Sequence, residues 1–299
     1  LFTIVNLFGV QQTANFELII TIIASIGIIV YIVLIFPHSS PSTIFTNHKP
    51  LNFSSIFSAI PFAIWFYLAV EGVAMAAEET ENPKKDIPKG YIMGIGTLVV
   101  FALSVMTLTA GTGNAAELVK NDHPLPESLA LVYGKGSSHS YIFAFFGLVG
   151  IMASLLGIIL GYSRQIYAVA REGFLPKFLS KLNPSNGSPT YACIAGGFVG
   201  IIGIISGKTD ELITLSVLGA IIMYQISMVS VFVLRKKEPG LHRPFKAPLY
   251  PIFPAIALIL STFCLISVVV NNPTLSAVFF GVLLINFIIF KFTIGRENV

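Results

Sequence analysis

The sequence predicts an all-α, polytopic membrane protein, and three observations carry that reading. Apolar residues make up 55% of the chain and charged residues 11%, where a soluble domain carries about 25% charged residues. The apolar residues collect into eight runs, Glu17–Phe36, Phe57–Ala77, Gly90–Gly113, Tyr141–Ser163, Pro189–Gly207, Leu212–Leu234, Pro251–Val270 and Thr274–Thr293. Each is close to the roughly 20 residues that a helix needs to cross the hydrocarbon. Lys and Arg crowd alternate connections between the runs, the asymmetry that sets orientation in a membrane. The connections leave no room for a separate soluble domain, so residues 1–299 are expected to form one transmembrane domain.

Leu1–Val10 reads as the end of another apolar segment. It has no charged leader and no cleavage site, so it is not a signal peptide. With Leu1 where an initiator Met would stand, the chain is expected to be a piece of a longer membrane protein. The first full run, Glu17–Phe36, leads into the polar connection Pro37–Ile56. The second, Phe57–Ala77, ends in AAEETENPKKDIPKG (Ala76–Gly90), where Asn82–Pro83 and Ile87–Pro88 stop the helix and turn the chain. After the third run, Pro126–Glu127 opens PESLALVYG (Pro126–Gly134). Proline in the first turn and glycine at the end mark a short helix there. The fourth run is followed by a stripe of Phe174, Leu175, Phe178, Leu179 and Leu182, with Lys177, Ser180 and Lys181 on the other side. That pattern predicts a short amphipathic helix lying on the membrane surface. Cys193 and Cys264 both fall inside apolar runs and read as small core residues, not as a disulfide or a metal site.

Fourteen of the eighteen basic residues lie on one side: Lys84, Lys85, Lys89, Arg164, Arg171, Lys177, Lys181, Arg235, Lys236, Lys237, Arg243, Lys246, Lys291 and Arg296. Lys49, Lys120, Lys135 and Lys208 occupy the other. Taking the basic side as cytoplasmic puts Thr3–Phe16 and the C-terminus inside and Pro37–Ile56 outside, in a plasma (inner) membrane. The net charge of +4 follows from this asymmetry. It does not point to nucleic acid, because the basic residues sit where they meet anionic lipid. His38, His48, His123 and His139 fall in outside connections with no metal-ligand spacing, and no cofactor or metal is expected.

Glu71 stands in the middle of a membrane-length run, AIPFAIWFYLAVEGVAMAAEE (Ala59–Glu79). Insertion scales put a comparable charge at a helix centre at roughly 2.5–3.5 kcal/mol. No Lys or Arg lies in the interior of another run to offset it. A proton, a cationic ligand or a segment outside these runs must do so. Gly72, next to it, marks where the helix can open. The pair argues for a binding site near the bilayer midplane.

Three strings carry a family resemblance. FYLAVEGVAMAAEETENPKKDIPKG (Phe66–Gly90) resembles the sixth helix and following loop of the amino acid–polyamine–organocation permeases. SRQIYAVAREGFLP (Ser163–Pro176) is similar to the eighth-helix exit of that family, and RKKEPGLHRPFKAPLYP (Arg235–Pro251) to the loop before its eleventh helix. The three occur in the family's order with the matching number of runs between them. The wording AIPFAIWFYLAVEGVAMAAEE with DIPKGYIMGIGTL looks most like the ethanolamine permease branch, and it also fits a general amino acid permease.

The resemblance implies a LeuT-type fold of two inverted five-helix repeats, truncated here to about eight transmembrane helices, family helices five to twelve. Residues 54–235 would be the second repeat and residues 251–293 two C-terminal helices. It implies a secondary transporter of a small amine, with ethanolamine as the expected substrate and an amino acid as the alternative, working by alternating access, with a proton or an exchanged solute more in keeping than sodium. Glu71 would face the cavity and meet a substrate ammonium or carry a coupling proton; a protonated Glu bonded to a neighbouring helix is the structural alternative. Gly72 would allow either close helix packing or an unwound break with free carbonyls. Tyr67 is four residues before Glu71 and shares its face if the helix is intact. Trp65, Phe66 and Tyr67 would gate or contact an amine, or simply pack. Ser154 and Tyr224 are polar groups at membrane depth that would line the cavity or bond a neighbouring helix. Arg164 and Arg171 would anchor at headgroups, or close an inner gate by pairing with Glu78, Glu79 or Asp86. The helix at Pro126–Gly134 would cover the outer vestibule or stand free as a loop.

No catalytic constellation appears: there is no Gly-rich phosphate loop, no Cys/His cluster and no nucleophile–base pair. The chain is therefore not expected to be an enzyme. The rival from another class is a transporter-like membrane sensor. A channel would need a continuous polar lining, and the sequence shows one ionisable residue deep in a run, Glu71.

Overall fold

The computed structural model describes residues 2–7, 10–46, 52–113, 115–118 and 123–293. His48, Lys49, Lys120 and Arg296 lie outside the described residues, as does the Glu79 side chain. Among the described residues the regular structure is helical: α1 (Phe2–Leu7), α2 (Val10–Ile35), α3 (Pro41–Thr46), α4 (Phe53–Trp65), α5 (Gly72–Met75), α6 (Pro83–Ala110), α7 (Ala115–Leu118), α8 (Pro124–Tyr133), α9 (Ser138–Arg171), α10 (Thr190–Ser206), α11 (Thr209–Lys237), α12 (Ile252–Asn271) and α13 (Pro273–Thr293).

Among the described residues, five helical segments are long and apolar enough to cross a membrane: Ala14–His38, Pro83–Ala110, Ser138–Arg171, Thr209–Lys237 and Ile252–Asn271. Shorter apolar helices lie at Phe53–Trp65, Thr190–Ser206 and Pro273–Ile288. Seven of the eight apolar runs thus map onto one helical segment each, and the run Phe57–Ala77 is divided between α4 and α5. Large apolar side chains remain bare, Ile204 at 81% and Ile205 at 79% exposure, as expected for surfaces whose solvent is lipid.

Local chemistry places the helix ends. The Asn52 side chain accepts from the Ser55 N–H at 2.7 Å and caps α4. Pro83 opens α6 and Pro124 opens α8, where a missing N–H does no harm. The α8 helix begins two residues before the expected Pro126, and Gly134 at φ +98° ends it. The amphipathic helix expected over Phe174–Leu182 is absent. A single 3-10 turn, Lys177–Ser180, stands there. Gly173 adopts φ +85°, and Pro176 and Pro184 bracket a stretch too short for two helical turns. The stripe also does not share one face: Phe174 packs on Phe290 at 5.4 Å, while Phe178 meets the edge of Tyr191 at 6.2 Å.

The chain divides into two compact units. The first comprises residues 1–51, 93–168 and 178–197. Its core joins Tyr31 and Ile35 of α2, Leu129 of α8 and Phe143 of α9. Farther along, Ile20 packs with Ala153 and Leu156. Helices α2 and α9 run antiparallel along a seam of small residues. A methyl at Gly27 would collide with Phe146, and one at Gly150 would touch Ala24 at 3.6 Å. Close approach of this kind drives helix association where lipid removes the hydrophobic term.

The second unit comprises residues 52–92, 169–177 and 198–299. Val217, Leu218 and Ile221 of α11 and Val268 of α12 form its core, with Ile64 of α4 and Phe279 of α13 against them. Pro61 lies inside α4 and has no N–H to offer the carbonyl of Phe57. The Ser267 hydroxyl of α12 supplies the missing donor at 2.6 Å. In hydrocarbon an orphaned carbonyl is disfavoured by several kcal/mol, so this bond ties α12 to α4 about two turns before the helix opens.

Candidate functional site

Within the second unit, the α4 helix ends at Trp65 and regular α-helix resumes only at Gly72. Between them the ladder tightens. Tyr67 N–H donates to the Ile64 carbonyl at 2.9 Å, and Gly72 N–H to that of Ala69 at 3.0 Å. Among the described residues, no backbone N–H reaches the carbonyls of Phe66, Tyr67 or Leu68. Three free carbonyls at membrane depth are tolerated where backbone lines a cavity or is buried in protein.

The pivot is not the glycine singled out in the sequence. Ala69 takes φ +66°, a left-handed conformation that is rare for a residue with a Cβ. Gly72 lies in ordinary helical backbone, and a methyl built on it meets nothing within 4 Å. Gly72 therefore neither packs closely nor forms the break; it opens α5 beside empty space. The break also removes the condition under which Tyr67 and Glu71 share a face, because the helix between them is not intact.

Glu71 is half-buried at the entry to α5. The Tyr224 hydroxyl, on α11, donates to Glu71 Oε2 at 3.0 Å. The Tyr91 hydroxyl, on α6, donates to the Glu71 carbonyl at 3.4 Å. A carboxylate has about four acceptor sites on two oxygens, so the tyrosine leaves capacity for a cationic donor. Tyr67 is half-buried, and Trp65 and Phe66 are 44% and 42% exposed at the lip of the break.

The other candidates separate. Ser154 lies on α9 in the first unit and is exposed. Arg171 and Glu78, both in the second unit, form an ion pair in which both guanidinium amines reach Glu78 Oε1 at 3.1 Å. Arg164, in the first unit, donates from Nη1 to its own Leu160 carbonyl at 3.0 Å. A shallow groove of about 450 Å³ runs along Val229, Val233 and Lys237 at the end of α11. It contains none of the candidate residues.

Two participants escape sequence reasoning. Ala69 carries no signal, since alanine is not a residue of left-handed turns. Tyr91 opens the third run and looks like an interfacial aromatic.

A family model described as amino acid permease matches residues 1–290. The branched-chain amino acid permease BcaP of Bacillus subtilis is 28% identical over 293 residues, 97% of this chain and 61% of the relative. A methylthioribose transporter of the same organism is 26% identical, covering 83% of this chain and 53% of its own length. The b(0,+)-type amino acid transporter 1 of Rattus norvegicus is 23% identical, covering 80% and 48%. The chain thus spans about half to three-fifths of the curated relatives it matches.

Proposed function

The chain belongs to the amino acid permease family, and on that premise we propose that it binds and helps move a small amino-bearing solute across a membrane as part of a secondary transporter. The observation that carries the reading is the Glu71 carboxylate at a helix break, bonded to Tyr224 and next to three free carbonyls. A primary ammonium is the complementary ligand. It has three donors and no acceptor, and the break supplies an anion and carbonyl oxygens. Trp65, Phe66 and Tyr67 add aromatic faces, which favour a cation by roughly 0.5–2 kcal/mol.

An amino acid is the substrate class we place first, because relatives named for amino acid transport match across most of this chain. Ethanolamine is the second reading, favoured by the string around Glu71. The two share the ammonium and differ in the carboxylate. The architecture that goes with this function is the LeuT-type arrangement, with residues 54–235 as one five-helix repeat and residues 251–293 as an added pair. Alternating access would be coupled to a proton or to exchange, in a plasma (inner) membrane with the C-terminus in the cytoplasm. Arg171 and Glu78 would close the inner side.

The test is uptake by the whole protein in proteoliposomes. Radiolabelled amino acids and ethanolamine are supplied with and without a pH gradient. Accumulation of amino acids alone selects the first reading; accumulation of ethanolamine alone selects the second. Binding without uptake of either supports a sensor instead. A Glu71→Gln variant with undiminished uptake and unchanged pH dependence removes Glu71 from the mechanism.

A further inference from the structure

The groove at the end of α11 joins an apolar face to a basic end. Its lining residues are Val229, Ser230, Val233, Leu234, Lys237 and Glu238. They recur at intervals of four, so they share one side of the helix and extend about 12 Å along it. Val229, Val233 and Leu234 are 46%, 44% and 46% exposed, on a helix long and apolar enough to cross a membrane. The groove stops where α11 stops and the basic loop begins. Arg243 folds that loop back under the helix. Its Nη1 donates to the Leu241 carbonyl at 2.8 Å, and its Nη2 to the carbonyls of Glu238 at 2.8 Å and Leu234 at 3.4 Å. A cation is favoured at these terminal carbonyls. Arg235 stands over the Tyr250 ring, 4.1 Å from its centroid, and that ring packs on Phe232 at 5.9 Å. Both arginines thus hold the loop, but two of the five N–H donors of Arg243 are left over. Lys237 has no hydrogen bond or ion pair among the described residues. Glu238 is the one acid in the lining, against Lys237 and Arg243, and Lys236 and Lys246 add to the positive side.

We propose that this groove binds one anionic phospholipid, with an acyl chain along Val229, Val233 and Leu234 and the phosphate at Lys237 and the remaining donors of Arg243. The apolar part belongs to a membrane-length helix and the basic part to its end, which suits an amphiphile better than a water-soluble anion. The excess of positive charge selects the headgroup. A zwitterionic lipid brings its own cation to the same place, and an anionic lipid does not. In the orientation proposed above, this end of α11 faces the cytoplasmic leaflet, where anionic lipid is concentrated. The inference does not depend on a role for Glu71 or on which solute is carried.

The whole protein in nanodiscs provides the test. Phosphatidylglycerol with a diazirine in its acyl chain is compared with a matching phosphatidylcholine probe, and photolabelled peptides are read by mass spectrometry. The phosphatidylglycerol probe should label residues 229–238 at least about fivefold more, and excess unlabelled phosphatidylglycerol should remove the label. Lys237→Gln should lower the labelling about fivefold, the share of one basic residue beside anionic lipid. Lys208→Gln, at the opposite end of the same helix, should leave it unchanged. Val233→Trp should abolish it with no change of charge, because the ring fills the groove. Equal labelling by the two probes overturns the proposal and leaves ordinary contact with bulk lipid. Labelling that avoids residues 229–238 in the parent protein also overturns it, and means that another part of the whole protein covers the groove. Equal losses in Lys237→Gln and Lys208→Gln do the same, since they make the attraction a property of overall charge.

Discussion

Tyr224 and Glu71 are 153 positions apart in the chain and 3.0 Å apart in space, the tyrosine hydroxyl donating to the carboxylate. The bond ties the broken segment after α4 to the continuous helix α11. It also occupies part of the anion at the break. On the proposed reading, a substrate ammonium at Glu71 would share the carboxylate with Tyr224 or displace it, which would link arrival of cargo to release of α11.

Tyr224→Phe keeps the ring and deletes the donor. Hydrogen bonds to charged groups contribute about 1.5–3 kcal/mol, so the thermal midpoint in detergent should fall. With the competing donor gone, KM for uptake should fall, and the maximal rate should fall with it. Initial rates over a range of substrate concentration check this; an unchanged KM excludes competition at Glu71.

At the break the sensitive position is Ala69. Its φ of +66° places the Cβ in a region disfavoured by roughly 1–2 kcal/mol for an L-residue. Ala69→Gly should raise the thermal midpoint or leave it unchanged, and Ala69→Val should lower both midpoint and uptake. Gly72→Ala should be tolerated, since the added methyl meets nothing within 4 Å. Ranking the three variants by melting and by uptake tests the assignment, and a severe Gly72→Ala with a mild Ala69→Val reverses it.

The helices were legible because membrane-length apolar runs have one physical solution, a hydrogen-bonded helix. A break near Glu71 was legible too, from an acid that oil disfavours. Its centre was not. Sequence logic looks for positive φ at glycine, yet the strain falls on Ala69, held by the contacts of Leu68 with the core around Leu218. Tyr224 was picked out as a polar group at depth, but its partner is a tertiary fact. The surface helix expected at Phe174–Leu182 failed for a local reason, Gly173 at positive φ before it, Pro176 within it and Pro184 just after it.

Arg171 and Glu78 make the contrasting case. Their side chains are 47% and 70% exposed, and exposed pairs contribute about 0–1 kcal/mol. A double-mutant cycle on thermal stability with Arg171→Ala and Glu78→Ala should give a coupling under about 1 kcal/mol that shrinks with added salt. If the pair closes the inner side, the same variants change uptake rate with little change in melting. Coincident losses in both readouts assign it to the fold instead.

Tyr31 anchors the loop helix α8. It is fully buried, with its hydroxyl 2.6 Å from Thr109 Oγ1 and 2.8 Å from Ser128 Oγ. The Ser128 hydroxyl donates to the Leu125 carbonyl at 2.7 Å. Its proton is thus committed, so Tyr31 donates to Ser128 and accepts from Thr109. Tyr31→Phe strands the Thr109 donor and should destabilise by about 1–3 kcal/mol. Hydrogen exchange should quicken across Pro124–Tyr133 and leave α11 and α12 unaffected. Protection of α8 equal to the parent protein shows that Leu129 packing alone holds it.

The α2–α9 seam yields a prediction that separates close packing from mere smallness. A methyl at Gly27 collides with the Cβ and ring of Phe146, whose backbone is fixed in α9. Overpacking of that kind typically costs about 1–3 kcal/mol. A methyl at Gly150 meets the Ala24 methyl at 3.6 Å, ordinary contact that adds dispersion without strain. Gly27→Ala should therefore lower the thermal midpoint by several degrees, while Gly150→Ala stays near the parent protein, although both replace a glycine by an alanine on the same interface. Gly27→Ala combined with Phe146→Leu should recover part of the loss, since the shorter branched side chain gives the new methyl room. Equal melting of Gly27→Ala and Gly150→Ala would mean that the two helices part easily enough to absorb the collision, and the seam would then be a loose contact and not a packed one.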